Sequence, residues 1–341
     1  MPADYSHPTY SHPAPSHLVI PFSVCNGDGW LQAMKALPER REGGLTNLPR
    51  LLRGMKLVDT TSFEASSLST PHERVLAKAL GLPGCEAMPD GLLPWAAWQA
   101  AQTPGLQDQP GKAWAFITPC HWAMGREHAS LSDPAALALT DVDAQTLLQA
   151  MQPYFETEGI TLHPAAPDRW LAEGEIFRDL PTASIDRVMG RNVDAWLPAA
   201  RKIKLLQNEM QMLLYTHPWN DERSAKRRQT VNSFWLSGTG ALVQTPATCM
   251  PTPGVTLNRS LAPAAFTDDW AGHAQAWAAL DAGDVAALLA RQAAGESVRL
   301  SLCSESQALT FETSAPGLLT KIMHLLRPHG NLDVLFQLSK Q

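Results

Sequence analysis

The 341-residue chain contains no apolar run near the roughly 18 residues that a membrane-spanning helix needs. Its start lacks the charged-then-apolar pattern of a secretory leader. Both absences point away from a membrane protein and toward a reducing cytoplasm. Cysteine is sparse and odd in number: Cys25, Cys85, Cys120, Cys249 and Cys303 include no C-x-x-C pair, which excludes a disulfide framework and a zinc signature. Positive charge is also short, with 27 Lys and Arg against 33 Asp and Glu, a net charge of -6 and a pI near 6.0. That balance argues against nucleic acid as the partner. No Gly-Lys-Ser/Thr occurs, so there is no P-loop. What is present is ordinary for a globular protein: 45% apolar and 18% charged residues, enough for one large or two smaller domains.

Residues 1–16, "MPADYSHPTYSHPAPS", repeat a Tyr-Ser-His-Pro unit, and prolines so closely spaced exclude helix and central strand. A disordered tail is expected there. His7, His12 and His17 are either weak metal ligands or part of a solvated leader. Order is expected to begin at "HLVIPFSV". Further strands are read at 113–119, 159–164, 168–174, 231–237, 297–303 and 308–313. The second and third of these are set to form a hairpin, as are the last two.

Amphipathic spacing predicts helices over 144–155, with Leu147, Met151, Tyr154 and Phe155 on one face, and over 203–214, with Leu206, Met210 and Leu213. The Ala-rich 271–295 reads as two short helices broken near Gly283. Gly- and Pro-rich 80–94 and 102–112 read as loops. Mixed strands and helices give an α/β protein with α+β character in part.

Chemistry concentrates in "HPWNDERSAKRRQTVNSFWLSGTG", residues 217–240. His217, Asn220 and Arg223 fall between a helix and a strand, where a guanidinium fork suits carboxylate or phosphate. The same residues also fit a capped turn at Asn220 and Asp221 followed by a solvated basic face of Arg223, Lys226, Arg227 and Arg228. Gly238-Thr239-Gly240 is either a plain turn or a ligand-facing loop, because it lacks the third glycine of a dinucleotide fingerprint. Cys120 and His121 are adjacent in a strand and point to opposite faces, which favours a structural cysteine over a catalytic pair.

Taken together, His217, Pro218, Asn220, Arg223, Asn232, Trp235, Gly238 and Gly240 resemble the block H-P-x-N-x-x-R … N-x-x-W-x-W-G-x-G of the archaeal-type cofactor-independent phosphoglycerate mutases, in the alkaline phosphatase superfamily. Ser237 stands where that family usually has a second tryptophan. The resemblance covers roughly 113–240, and a set of phosphoglycerate mutase-like bacterial proteins resembles nearly the whole chain. It implies an alkaline-phosphatase-like α/β core, residues 17–112 and 241–341, around a mutase-type inserted region at 113–240. It also implies a substrate pocket of His217, Asn220, Arg223 and Asn232, with Arg169 or Arg191 reaching in.

Family chemistry uses two divalent metal ions such as manganese, held by an Asp-Gly after the first strand and by Asp-His and histidine clusters near the C-terminus. Here Asp28-Gly29 resembles the first element but lies several residues past the strand. No Asp-His dipeptide occurs, and His273, His324 and His329 stand alone. The expectation is a protein without a metal site or cofactor that binds a phosphorylated or carboxylated small ligand or acts in regulation. Two alternatives stand beside it. One is an active mutase or phosphohydrolase using Asp28 with Ser23, Ser233 or Ser237. The other is an interaction module built on the eleven tryptophans and the Ala-rich helices.

Overall fold

A computed structural model describes residues 16–37, 44–107, 109, 111–125, 128–242, 254–314 and 335. Residues 1–15 of the proposed tail, with His7 and His12, and Cys249, His324 and His329 lie outside these residues, while Ser16 bonds to the Gly254 carbonyl. The strands are β1 (His17–Ile20), β2 (Met55–Ser62), β3 (Ala113–Cys120), β4 (Trp122–Met124), β5 (Ala129–Leu131), β6 (Thr161–Ala166), β7 (Arg169–Glu173), β8 (Ser233–Ala241), β9 (Val255–Leu257), β10 (Arg299–Cys303) and β11 (Gln307–Thr313). The helices are α1 (Asp28–Ala36), α2 (Leu48–Arg53), α3 (Pro71–Leu80), α4 (Trp95–Ala100), α5 (Asp141–Thr157), α6 (Arg201–Tyr215), α7 (Pro218–Ala225), α8 (Ala262–Phe266), α9 (Trp270–Leu280) and α10 (Ala286–Ala293).

The fold is mixed α/β, in two compact units. Unit 1 comprises Met1–Thr61 with Thr252–Gln341, and unit 2 is the continuous Ser62–Pro251. The sequence reading set an inserted region at 113–240. Unit 2 contains that stretch together with α3 and α4. No helix among the described residues is long and apolar enough to cross a membrane.

Unit 1 holds a five-stranded sheet in the order β2-β11-β10-β1-β9, with β1 parallel to both β9 and β10 and with β10 antiparallel to β11. One face of β1 and β10, through Leu18, Ile20, Leu300 and Leu302, buries Trp30 and Met34 of α1, Leu48 and Leu51 of α2 and Trp277 of α9. His17 opens β1 instead of closing a leader, and its buried ring bonds to the Ser301 hydroxyl at 2.9 Å.

The 271–295 segment is a correction to the sequence reading. α9 does not break at Gly283 but passes through a π-turn, Asp281–Val285, into α10. A glycine inside a helix costs only about 1 kcal/mol. The wider turn coincides with Asp281, whose carboxylate accepts the backbone N–H groups of Thr46, Asn47 and Leu48 at 2.7–2.9 Å, at the start of α2.

Unit 2 is built on a four-stranded antiparallel sheet, β6-β7-β3-β8, covered on both faces. Every residue of the apolar run in β3 is buried, as expected of a central strand with two covered faces. Ala115, Ile117, Trp170, Phe234 and Leu236 face α5 and α6, against Leu147, Met151, Phe155, Ile203, Leu206 and Met210. Trp114, Phe116 and Leu171 face α4 and its neighbours. Thr70 and Glu73 form a capping box at α3, and Thr140 and Asp143 form another at α5.

Candidate functional site

The polar residues of 217–232 gather where α6, α7 and β8 meet. The sequence placed His217 to Arg223 in a connecting loop, whereas the structure makes most of it helix α7. Its start is set by His217 as N-cap, with ring Nδ1 accepting the Trp219 N–H at 3.2 Å, and by Pro218 at the first helical position. One turn on, the Asn220 amide donates to the Leu214 carbonyl (2.8 Å) and the Val231 carbonyl (2.6 Å) and accepts the Val231 N–H (3.1 Å). That bonding ties the end of α6 to the approach of β8 and uses both N–H groups of the amide. Asn232 repeats the device, accepting from the Trp122 N–H (2.7 Å) and donating to the Trp122 carbonyl (3.0 Å). It carries the β3–β8 pairing past the end of the ladder.

Arg223 is 4% exposed and lies 4.9 Å over the Trp219 ring. Its Nε donates to the Gln229 carbonyl at 2.8 Å and its Nη2 to the Leu137 carbonyl at 2.6 Å, while Nη1 is buried with no hydrogen-bond partner. Burial lowers the guanidinium's pKa, and nearby Asp143 opposes that. Burial also acts to raise the Asp143 carboxyl. Bonds from the Thr140 N–H and hydroxyl and from Trp219, with Arg223 close by, outweigh it and hold the carboxyl below its ordinary value.

His217, Asn220, Arg223 and Asn232 are therefore brought together, with most of their polar atoms already bonded within the fold. Arg169 and Arg191 lie elsewhere. Arg169 packs over the Phe116 ring at 4.8 Å and reaches Gln99 of α4, on the opposite face of the sheet from α6. Exposed Arg191 sits beside β5, its N–H bonded to the Val188 carbonyl.

The Gly-Thr-Gly segment is neither of the two things the sequence offered. It lies inside β8, where Ser237 pairs with Phe116 and Gly240 with Trp114, so the stretch carries one extra residue as a β-bulge. Gly238 has φ +64°, and a Cβ there would stand 2.8 Å from the Phe116 ring. Thr239 is fully buried and bonds to the Leu180 carbonyl and the Thr182 hydroxyl.

Sequence reasoning missed a buried polar cluster joining 68–72 to 184–187. His72 Nε2 lies 2.9 Å from Asp186 Oδ2 and 3.1 Å from Thr70 Oγ1, and buried Arg187 donates to the Ser69 carbonyl. Thr, His and Asp suggest a nucleophile, base and orienting acid. That relay needs opposite ring nitrogens, however, and here both oxygens meet Nε2. The 114-residue separation of His72 from Asp186 left no sequence signal.

The two-metal chemistry implied by the family resemblance asks for clustered carboxylates and imidazoles. In unit 1 the carboxyl ends of the parallel strands, where open α/β sheets usually place ligands, carry different chemistry. The Ser23 hydroxyl donates to the Cys303 carbonyl, and Trp277 donates to the Ser23 carbonyl. The His273 ring is fully buried. Trp30 donates to its Nδ1 at 3.3 Å, which puts the proton of the neutral ring on Nε2, directed at the Phe22 carbonyl 2.9 Å away. Burial lowers the His273 pKa. Cys25 Sγ is 3.7 Å from that same Nε2, so the imidazole has no lone pair to offer the thiol. Asp28 is the exposed first residue of α1. Among the described residues no three of His, Cys, Asp and Glu stand close enough to share a metal ion. These residues do not fit a two-metal centre.

No protein-family model matches the chain, and no curated protein matches it. Solved structures similar to it at a distance include the following two. One is a cofactor-independent phosphoglycerate mutase from Thermoplasma acidophilum DSM 1728, with 14% identity over 95% of this chain and 100% of that chain and a TM-score of 0.33. The other is the PH0037 protein from Pyrococcus horikoshii, with 9% identity over 89% of this chain and 88% of that chain and a TM-score of 0.40. Likeness at this level is distant and assigns no activity.

Proposed function

We propose that the chain is a phosphoglycerate mutase-like cytoplasmic protein that binds a phosphorylated or carboxylated small molecule, or acts in regulation, without the two-metal chemistry of that family. The observation that carries this reading is the packing at the strand ends of unit 1. Trp30, Trp277, Cys25, Cys303 and the fixed tautomer of His273 stand there in place of a carboxylate and imidazole cluster. The binding half of the reading rests on Arg223, whose buried Nη1 has no hydrogen-bond partner. A guanidinium N–H without a partner suits an anionic oxygen.

The test is calorimetric titration of the full chain with 2- and 3-phosphoglycerate up to about 1 mM, run beside a manganese-supplemented interconversion assay. Binding heat without turnover is expected, together with loss of the heat in Arg223→Lys. Manganese-dependent turnover that falls in Asp28→Ala would favour the active-mutase alternative instead.

A further inference from the structure

The solvent side of α6 carries a pattern that neither the core nor the candidate site explains. Ile203, Leu206, Met210 and Leu214 are buried against the sheet. Diametrically opposite them, at successive spacings of four, three, four and three residues, stand Arg201, Leu205, Asn208, Met212 and Tyr215, all exposed. Leu205 is 50%, Met212 71% and Tyr215 82% exposed. Single exposed apolar residues are ordinary. A seam at the 3.5-residue repeat is the pattern that one helix presents to another. On neighbouring α5, Val142 and Tyr154 are also exposed. The α5–α6 pair thus carries five of the eight most exposed large apolar side chains among the described residues.

We propose that this face of α6 pairs with the same face of a second copy of the chain, the two helices running antiparallel about a twofold axis at Asn208. The order of the seam argues for a copy of itself and for that direction. Antiparallel pairing sets Leu205 against Met212 on each side of the axis, Asn208 against Asn208 on it, and Arg201 over the Tyr215 ring at each end. Apolar, amide and cation–π contacts are each matched by the symmetry. Parallel pairing would stack Arg201 on Arg201.

Charge agrees with this arrangement. The first turn of α6 holds exposed Arg201, Lys202 and Lys204, unfavourable for its own helix dipole and without a side-chain cap. The antiparallel arrangement carries Arg201 and Lys204 toward the start of α7 in the second copy, which exposes Asp221, while Lys202 and Glu222 pair with Glu158 and Lys226 in their own chain. A single Asn in an otherwise apolar seam is a known device for fixing helix register.

Sedimentation equilibrium of the full chain should show a dimer by about 100 µM, and Met212→Glu should weaken it by about 100-fold or more. An Asn208→Cys variant carrying Cys249→Ser should crosslink to itself under mild oxidation, with the Cys249→Ser chain as control, since the remaining cysteines Cys25, Cys85, Cys120 and Cys303 are buried. Exposed positions leave the fold intact, and unchanged far-UV circular dichroism of both variants checks that. A wild-type chain that stays monomeric, a dimer indifferent to Met212→Glu, or a dimer of the Asn208→Cys variant that fails to crosslink would each overturn the proposal.

Discussion

Asp281 in unit 1 and Arg223 in unit 2 are buried charged side chains, each satisfied from the backbone of a neighbouring segment, and the two cases differ in sign and in completeness. In unit 1, Asp281 is 1% exposed and accepts three backbone N–H groups at the start of α2, with the Asn47 amide adding a longer bond. In unit 2, Arg223 is 4% exposed and donates to the carbonyls of Gln229 and of Leu137, the last residue of a short 3-10 turn. Helix starts leave N–H groups without partners and helix ends leave carbonyls, so the sign of the buried charge follows the end it serves. Asp281 is fully used, whereas Arg223 keeps one donor in reserve. A buried charge is thus no ligand site by itself, and the difference between the two lies in that remaining donor.

The comparison can be broken most directly by deleting each charge. Asp281→Ala leaves three N–H groups at the start of α2 without their acceptor, that of Leu48 buried, and should cost about 4 kcal/mol in denaturant unfolding, with Asp281→Asn intermediate. Arg223→Ala loses two carbonyl bonds and the stacking on Trp219 and should cost about 3 kcal/mol. An Asp281→Ala variant as stable as wild type would remove the role given to the π-turn.

Acid should separate the units next. Burial, with Arg299 nearby, lowers His17 from 6.5 to about 4, and burial lowers His273 as well. Below pH 6.5 the unfolded chain binds protons that these folded imidazoles refuse. Stability therefore falls as pH drops from 6.5 toward 4, by on the order of 3 kcal/mol for His17. Both rings are in unit 1, and hydrogen exchange should show its β1 and β10 amides losing protection first. In unit 2 burial lowers half-buried His163 too, a smaller claim on stability. Equal loss in both units would sink the contrast.

The smallest effect is expected at Asn232→Ala, about 1 to 2 kcal/mol, because its two bonds to the Trp122 backbone lie at a partly buried edge that water reaches in the variant. Thermal melts read it. A cost above that of Arg223→Ala would make Asn232, not Arg223, the main anchor of the α7 region.

The strands were legible because β3, β10 and β11 announce themselves as short apolar or alternating runs, and α5 and α6 by their spacing. The density of polar residues at 217–232 was legible too, but not its use. Nothing in a sequence tells whether an asparagine amide meets a ligand or the Val231 backbone. Gly283 misled for a related reason: a glycine weakens a helix locally, and tertiary packing overrides that weakness.

Local pattern determined that β1, β3, β6, β7, β8, β10 and β11 are strands and that α5 and α6 are helices. Those outcomes depend on interactions within a few residues. Only the tertiary structure decided that His72 meets Asp186, that His273 presents a protonated Nε2 to Phe22 beside Cys25, and that Asp281 serves α2. The partners in these pairs lie 114 or more residues apart, and their bonds acquire strength only once the two cores have closed around them and excluded water.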